Sequence, residues 1–276
     1  MTWFKRVFWA GLGLGIGLAV WAFWWEPASV RVSPYSLQLE QWPKQCSGLK
    51  VAVLADIHVG SPYHGIEQLR HIVTATNAAK PDLILLAGDY VIQGVLGGEF
   101  VTPEDAAIEL AKLKAKLGTF AVLGNHDWWL DPVRVSNALE QVGITMLEDK
   151  SELMQWRDCR FNLVGVSDFW EGPHDLGLAL ADIDAQVPSV LLTHNPDLFP
   201  LIPKTVTLTI AGHTHGGQVY VPFIGRPIVP SDYGETYAVG FIVELGKQLF
   251  VSTGLGTSII PVRFLVPPEV SLLYLN

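Results

Sequence analysis

Short hydrophobic runs alternate with helix-like segments through the first half of the chain, starting near residue 50. The runs are the length of buried strands, and they occupy residues 51–55, 83–87 and 119–123. Apolar residues at the spacing of an amphipathic helix follow each run, over residues 66–79, 103–117 and 133–142. This alternation predicts a parallel sheet whose strands are joined by crossover helices.

The second half of the chain is richer in strands. Short apolar segments separated by Gly and Pro turns occupy residues 161–166, 189–192, 206–211, 240–245, 249–252 and 270–275. A strand-helix half followed by a strand-rich half predicts two sheets packed face to face, with helices outside them. Residues 36–40 alternate between apolar and polar side chains, which predicts an additional edge strand.

The N-terminus has a different pattern. Residues 7–25 are an unbroken apolar run, preceded by Lys5 and Arg6. As a helix this run spans roughly 28 Å, close to the ~30 Å hydrocarbon core of a bilayer. We therefore expect these residues to anchor the protein in the bacterial inner (cytoplasmic) membrane by a single pass. A cleaved signal peptide is the alternative.

The charges around the apolar run predict its orientation. Lys5, Arg6 and the α-amino group favour a cytoplasmic N-terminus, which places the rest of the chain outside the cytoplasm. Arg31, Lys44 and Lys50 lie on the other side and reduce this asymmetry. A soluble part on the cytoplasmic face is therefore kept as the alternative.

Composition excludes one class of partner and leaves one question open. The formal net charge is −9, with 18 basic and 27 acidic residues, so we expect no nucleic-acid binding, which requires excess Lys and Arg. Cys46 and Cys159 are the two cysteines. They could pair if this part of the chain lies outside the cytoplasm, but their separation alone does not show it.

Side chains that bind metals follow five of the predicted strands. The five motifs are Asp56-Ile57-His58, Gly88-Asp89, Gly124-Asn125-His126-Asp127, Thr193-His194-Asn195 and Gly212-His213-Thr214-His215. Each motif alone is commonly a turn or a helix cap. Five in order at strand ends predict one shared site, because ligands of α/β sheets bind beyond the carboxyl ends of the strands.

The residue types in these motifs suit a pair of metal ions. Carboxylate, imidazole and amide oxygen ligands bind divalent ions such as Mn, Fe or Zn. The absence of Cys from the motifs argues against a structural zinc site. One carboxylate can bridge two cations about 3.5–4 Å apart, an arrangement that holds both the attacking and the leaving oxygen of a displacement reaction.

Together these motifs resemble those of the calcineurin-like metallophosphoesterase superfamily. The resemblance implies an α/β fold, a four-layer αββα sandwich of two mixed sheets, preceded in this chain by the transmembrane helix. It also implies that Asp89 bridges two metal ions. The other ligands it implies are Asp56, His58 and His215 for one ion, and Asn125, His194 and His213 for the second.

The same resemblance implies a metal-dependent phosphoesterase. We expect hydrolysis of a phosphodiester or pyrophosphate bond by in-line attack of a hydroxide that bridges two divalent ions, with Mn favoured over Fe and Zn. His126 is expected to stabilise the phosphoryl oxygens or to protonate the leaving group. Asp127 is expected to orient and charge that imidazole. The expected substrate is a phosphate ester linked to a lipid or a nucleotide.

Four stretches resemble the bacterial YkuE/YaeI-like phosphodiesterases in particular: residues 212–218, 254–258, 261–264 and 267–269. That subgroup is similar to some UDP-2,3-diacylglucosamine hydrolases of lipid A assembly, which gives an alternative function as a pyrophosphatase. This alternative needs a cytoplasmic active site, which conflicts with the orientation that the N-terminal charges predict. A non-catalytic metal-binding scaffold is the alternative from another class, although it would have no need of a His126 that binds no metal.

The chain is expected to comprise a membrane anchor (1–28), a linker with an edge strand (29–48) and a metallophosphoesterase domain (49–276). Several residues outside the motifs are further candidates for the cleft. Trp128-Trp129 and Phe169-Trp170 follow strand ends, where they would form an apolar lip or pack in the core. His64 would line the cleft, and Arg226 and Arg263 would bind a phosphate oxygen, unless they serve the fold alone.

Overall fold

The computed structural model describes residues 3–276, which begin with a long apolar helix. Helix α1 (Trp3–Val20) continues into a π-helical turn (Trp21–Trp25). Together they form one helix of 23 residues, long and apolar enough to cross a membrane, and its side chains are nearly all exposed. Length and composition thus agree with the predicted anchor over residues 7–25.

The first sheet is mixed and contains the strands that the sequence predicts for the first half. Its strands are β1 (Arg31–Leu37), β2 (Leu49–Leu54), β3 (Leu83–Ala87), β4 (Thr119–Val122), β5 (Thr145–Met146) and β12 (Glu269–Leu275). Their spatial order is β1-β12-β2-β3-β4-β5. Strand β12 is parallel to β1 and antiparallel to β2, while β2 to β5 are parallel.

The second sheet is also mixed. Its strands are β6 (Lys150–Trp156), β7 (Cys159–Gly165), β8 (Ser189–Leu192), β9 (Leu208–Ala211), β10 (Gly240–Glu244) and β11 (Lys247–Val251). Their spatial order is β10-β11-β9-β8-β7-β6. The outer strands β6 and β10 are antiparallel to their neighbours, and the four inner strands are parallel.

Helices cover the outer faces of the two sheets. They are α2 (Ile66–Ala78), α3 (Pro103–Leu110), α4 (Asn125–Leu130), α5 (Pro132–Gln141) and α6 (Leu176–Ala179). Alternate residues of β2 face opposite layers, as the pleat requires. Val51 and Val53 pack between the sheets, whereas Ala52 and Leu54 pack against the helices. The expected four-layer αββα sandwich is confirmed.

A disulfide connects the turn before β2 of the first sheet to β7 of the second sheet. Cys46 lies in a 3₁₀ turn (Lys44–Cys46) just before β2, and Cys159 begins β7. The two Cα atoms are 4.8 Å apart and both side chains are fully buried. The fold therefore brings together two cysteines 113 residues apart in sequence, a pairing that the sequence left open.

Some predicted boundaries differ from the structure. Helix α3 ends at Leu110, not at residue 117, because Asn77 of α2 binds the chain beyond it: the Asn77 amide donates to Lys112 O and accepts from Lys114 N. The first edge strand is β1 rather than residues 36–40. Strand β6 is not predicted, since it is an edge strand with mostly exposed side chains.

Candidate metal centre

The carboxyl ends of five parallel strands meet at one edge of the sandwich, where they place the predicted ligands. Asp56 and His58 follow β2, Asp89 follows β3, and Asn125 opens α4 just after β4. His194 follows β8, and His213 and His215 follow β9. All seven side chains are buried. The structure therefore brings together, from both sheets, every residue that the sequence predicts as a metal ligand.

One group of donor atoms comes from Asp56, His58 and His215. The Nε2 atoms of His58 and His215 are 3.1 Å apart, and their rings are stacked with centroids 5.0 Å apart. His215 Nε2 lies 3.7 Å from Asp56 Oδ1. Two ring nitrogens and a carboxylate oxygen at these separations can bind a single cation.

A second group comes from Asn125, His194 and His213. His194 Nε2 lies 3.1 Å from both His213 Nδ1 and Asn125 Oδ1. His213 Nδ1 is 3.0 Å from the same Asn125 oxygen. Three donor atoms thus form a compact triangle that offers two imidazole nitrogens and one amide oxygen.

Asp89 lies between the two groups. Its Oδ2 atom is 3.4 Å from His58 Nε2 and also 3.4 Å from His194 Nε2. One carboxylate oxygen therefore faces a member of each group, as required of a ligand shared by two cations. The other oxygen, Oδ1, accepts a hydrogen bond from the backbone N–H of His126 at 2.9 Å.

Hydrogen bonds on the far side of two rings select the nitrogens that face the centre. His58 Nδ1 donates to Val91 O at 3.0 Å, and His194 Nδ1 donates to Ala87 O at 2.7 Å. A ring nitrogen that donates to a carbonyl leaves the other nitrogen for a metal. Nε2 of both histidines is accordingly directed into the centre, and this donor set fits a divalent ion.

Burial determines the charge states of these groups. Removal from water raises the pKa of Asp56 to about 7 and lowers the pKa of His58 to about 3. Burial also lowers the pKa values of His213 and His215 well below their usual range. Neutral imidazole is the form that binds metal, and a buried carboxylate is stabilised by a nearby cation.

Asp89 and His194 depart from this trend because they interact with each other. Burial alone would raise the pKa of Asp89, but His194 and His58 hold it well below its usual range. Burial likewise opposes a charge on His194, but Asp89 raises the pKa of the imidazole well above its usual value. Metal binding releases protons from the ligands, so a bound cation would replace the proton on the imidazole of His194.

The backbone at the centre is held in an uncommon conformation. Non-glycine residues rarely adopt positive φ, yet Asp56, His58, Asp89, His213 and His215 all do, with φ between 44° and 69°. Such conformations cost roughly 1–3 kcal/mol each and persist where the surrounding structure enforces them. Their concentration just after β2, β3 and β9 marks this edge as a functional site.

Two glycines allow the strand ends to approach each other. A Cβ atom at Gly88 would lie 2.5 Å from Gly124 N, and one at Gly124 would lie 2.3 Å from Asp89 Oδ1. A side chain at Gly124 would therefore displace the carboxylate of Asp89, and one at Gly88 would displace the backbone of Gly124 and the ring of His194. This explains the glycines in the second and third motifs.

His126 lies beside the centre but is held differently from the ligands. Its ring centroid is 4.8 Å from that of His58, and it lines the open cavity. Its Nδ1 lies 3.0 Å from Gln93 Oε1, and Gln93 Nε2 donates to His126 O at 3.0 Å. Gln93 thus contacts both the imidazole and the backbone carbonyl of His126. Nothing in the sequence around Gln93 indicated this role.

Asp127 does not have the geometry expected of it. Its carboxylate accepts from the backbone N–H groups of Asp89, Tyr90 and Gly124 at 2.8–2.9 Å. Burial raises its pKa to about 7. Gln93, rather than Asp127, contacts the imidazole of His126, so the predicted orienting role of Asp127 is corrected: this residue clamps the ends of β3 and β4 together.

A largely apolar cavity of about 590 Å³ opens from the centre. Trp129 and Trp170 line it, with ring centroids 4.6 Å from His126 and 4.3 Å from His213. These two residues form the predicted lip, while Trp128 packs against the core. The far wall consists of the loop between β9 and β10 and the loop between β11 and β12, and it includes Ile228, Ile259, Ile260 and Val262.

Three other candidates contact neighbouring groups of the protein itself. Arg263 is fully buried, and its guanidinium donates to Thr253 O, Gly256 O and Val266 O. His64 is also buried and donates through Nε2 to Pro27 O at 2.9 Å. The guanidinium of Arg226 lies over the ring of Tyr220 and donates to Gly216 O.

Comparison with known sequences and structures identifies similar proteins. A family model described as calcineurin-like phosphoesterase matches residues 49–217. The uncharacterized metallophosphoesterase YkuE of Bacillus subtilis is 29% identical over 271 residues, which cover 97% of this chain and 91% of the relative. Phosphodiesterase YaeI of Escherichia coli is 31% identical over 230 residues, 82% of each chain.

A solved structure of sulfate thiohydrolase SoxB from Thermus thermophilus aligns with a TM-score of 0.51 at 11% identity. The alignment covers 79% of this chain and 53% of that chain. At this level of identity the likeness concerns the fold, and it agrees with the sandwich of two sheets described above.

Proposed function

The chain belongs to the calcineurin-like phosphoesterase family and is a metal-dependent phosphoesterase, and from this premise we propose that it hydrolyses a phosphodiester or pyrophosphate bond at a centre of two divalent ions. We assign Asp56, His58 and His215 to one ion. Asn125, His194 and His213 are assigned to the other, with Asp89 shared. Mn is the favoured metal, with Fe and Zn as alternatives.

The shared position of Asp89 is the observation that supports this proposal most. Its Oδ2 atom is equally distant, at 3.4 Å, from one histidine of each donor group. A single-metal site would need no carboxylate between two complete groups of donors. Two cations, when bound, would acidify a water molecule and stabilise the charge on phosphoryl oxygens.

His126 has the place and the freedom to act on the substrate. Gln93 occupies its Nδ1, which leaves Nε2 for an oxygen of a phosphate ester in the cavity. In its protonated form this nitrogen would donate to a phosphoryl oxygen or to the leaving group. Trp129 and Trp170 would exclude water from one side of the phosphate and contact its organic substituent.

We propose that the enzymatic part lies outside the cytoplasm. The positive charges of Lys5 and Arg6 precede the apolar helix, which favours this orientation. The disulfide between Cys46 and Cys159 is independent support, because disulfides are rare in reducing compartments. Both observations disfavour the cytoplasmic location that a lipid A pyrophosphatase would need. Residues 1–28 would then be the anchor, 29–48 the linker and 49–276 the catalytic domain.

The proposal is tested with the full-length protein in mild detergent, loaded with Mn and supplied with bis-p-nitrophenyl phosphate. We expect metal-dependent release of p-nitrophenol. His213→Ala should abolish it, whereas His71→Ala, which changes an exposed histidine of α2, should leave it unchanged. A screen of nucleotide, sugar-nucleotide and lipid phosphates would then identify the natural class of substrate.

The result that would contradict the proposal is a folded protein that binds metal but releases no product with Mn, Fe, Zn, Co or Ni. That outcome would favour the non-catalytic scaffold. Release of phosphate from monoesters alone would instead show that the proposed bond type is wrong.

A further inference from the structure

The end of the membrane helix is fastened to one particular loop of the enzymatic part. Arg263 N donates to Ala22 O at 2.9 Å, within the last turn of the helix. The carboxylate of Glu26, which is buried, accepts from Leu265 N at 2.9 Å and from Val266 N at 2.5 Å. The point where the chain leaves the membrane is therefore attached to residues 263–266.

The same loop is attached to the wall of the catalytic cavity. Phe264 N donates to Gln218 O at 2.9 Å, and Tyr220 N donates to Phe264 O at 2.8 Å. The Gln218 side chain in turn accepts from Ser258 N at 2.9 Å. Gln218 follows His215 by three residues and lines the cavity. A continuous set of hydrogen bonds thus links the anchor to the metal centre.

The loops in this set expose an unusual amount of apolar surface. We call the exposed apolar residues of these loops the rim. Within it, Ile224, Ile228 and Ile259 are 73%, 77% and 76% exposed, and Phe223 is fully exposed. The rim consists of Tyr220, Phe223, Ile224, Ile228, Ile259, Ile260 and Leu265. Contiguous apolar surface of this kind on a protein marks a contact with another protein, a ligand or a membrane.

Charge distribution on the rim favours a membrane. Residues 218–230 contain one charged residue, Arg226, and residues 254–266 contain one, Arg263, which is buried. Neither segment contains an acidic residue that the anionic surface of a bilayer would repel. Trp24 and Trp25, exposed at the same end of the helix, are residues that favour the headgroup level.

We propose that the rim inserts into the leaflet at which the membrane helix ends, and that it holds the mouth of the catalytic cavity against the lipid headgroups. The occupant of the rim is the bilayer itself, because the rim is continuous with the attached end of the helix. Ile228, Ile259 and Ile260 belong both to the rim and to the cavity wall. The cavity therefore opens toward the leaflet along an apolar surface.

This placement deepens the proposed function and rests on it. A phosphate ester whose apolar chain lies in the same leaflet would reach the metal centre without leaving the membrane. Its chain would contact the isoleucines, and its phosphate would lie near His126. The substrate class that the geometry favours is an amphiphilic phosphodiester or pyrophosphate.

Immersion of the rim is measured on the full-length chain in nanodiscs of phosphatidylethanolamine and phosphatidylglycerol. Phe223→Cys carries a nitroxide label, and Leu178→Cys, an exposed residue of α6, is the matched control. The two native cysteines are joined in the disulfide, so the introduced thiol is the one that reacts. The label at 223 should be more accessible to oxygen than to a nickel chelate, and the label at 178 should show the reverse.

Two results would overturn the membrane contact. Equal exposure of both labels to the nickel chelate would place the rim in water. Protection of the label at 223 from both oxygen and the chelate would show that protein covers the rim, through a second copy or another partner. Either result can be obtained whether or not the protein is an enzyme.

The consequence for the substrate is tested with two diesters that share one leaving group, hexadecyl p-nitrophenyl phosphate in the nanodisc and bis-p-nitrophenyl phosphate in solution. Phe223→Ser combined with Ile224→Ser should lower turnover of the first by roughly fivefold or more, because insertion scales with buried apolar area. Turnover of the second should not change, since neither residue lines the cavity.

The pattern of results separates the two proposals. If the Phe223→Ser, Ile224→Ser variant retains full activity on both diesters, the proposal of a membrane-facing cavity is wrong, and the proposed phosphoesterase activity is unaffected. No activity of the unmodified protein on either diester would sink the proposed function, while the spin labels still report on the membrane contact. Leu178→Ser and Leu201→Ser, which remove exposed apolar side chains elsewhere, are the matched controls.

Discussion

At the scale of single residues, metal binding depends on which atom of each side chain faces the centre. His58 and His194 present Nε2 because their Nδ1 atoms donate to Val91 O and Ala87 O. Both carbonyls belong to the chain around β3, which also carries Asp89. The segment that supplies the shared carboxylate therefore also orients one histidine of each donor group.

His126→Ala tests whether this histidine acts on the substrate or binds metal. We expect the variant to retain its metal ions and to lose activity by roughly 10²–10⁴-fold, the usual effect of removing a positioned acid. Turnover of bis-p-nitrophenyl phosphate and elemental analysis of the same sample measure the two quantities. A loss of metal together with activity would instead make His126 a ligand, since its ring lies near Asp89 and His58.

Gln93 is predicted to position His126. Gln93→Leu removes both contacts and should lower kcat roughly tenfold, with unchanged metal content. Gln93→Glu places a carboxylate beside Nδ1, which should raise the pKa of the imidazole. Because an acid is active while protonated, the alkaline limb of the pH–rate profile should move to higher pH. A profile that stays in place in Gln93→Glu would show that Gln93 serves the fold alone.

The metal ligands could be predicted from the sequence, whereas the roles of Gln93 and Asp127 could not. The ligands could be predicted because each lies directly after a strand and belongs to a motif. Gln93 belongs to no motif, and its contact with His126 joins residues 33 positions apart through loop geometry. For Asp127, the family resemblance implied contact with the His126 ring. In the structure its carboxylate, in the first turn of α4, instead accepts from backbone amides just after β3 and β4.

At the scale of elements, strand ends from two separate sheets build the centre. β2, β3 and β4 supply three motifs from the first sheet, and β8 and β9 supply two from the second. Neither sheet alone carries a complete set for two ions: the first lacks His194, His213 and His215. Relative displacement of the sheets would therefore disrupt both groups at once.

The disulfide is expected to stabilise this arrangement of sheets. It closes a loop between residues 113 positions apart, and its removal by Cys46→Ala with Cys159→Ala should lower the free energy of unfolding by roughly 2–4 kcal/mol. Urea unfolding in mild detergent, followed by tryptophan fluorescence, measures the change. Reductant should lower the midpoint of the unmodified protein and leave that of the variant unchanged. If the variant and the unmodified protein without reductant unfolded at the same midpoint, this role would be contradicted.

Elements with strong hydrophobic periodicity were predictable, and those at edges were not. β2, β3 and β8 are buried on both faces and appear as continuous apolar runs. β6 pairs on one side only and exposes Lys150, Glu152 and Leu153, so its hydrophobic signal is weak. The early end of α3 depends on Asn77, a contact between helices that periodicity does not record.

At the scale of the whole molecule, the N-terminal apolar helix and the cavity beside the predicted metal ligands are parts of one structure. The sequence predicted the apolar helix and the enzymatic sandwich separately, joined by a linker over residues 29–48. In the structure this segment is integrated into the fold, since β1 pairs with β12 along seven residues and Cys46 bonds to Cys159. Together with the hydrogen bonds of Glu26 to residues 265 and 266, this leaves little freedom between the apolar helix and the cavity.

We propose above that two cations share Asp89. Crystals of the Mn-loaded protein, measured at the manganese absorption edge, should show two anomalous peaks about 3.5–4 Å apart, one on each side of Asp89 Oδ2. One peak should lie among Asp56, His58 and His215, and the other among Asn125, His194 and His213. A single peak, or a pair that does not include Asp89 as a common ligand, would contradict the account.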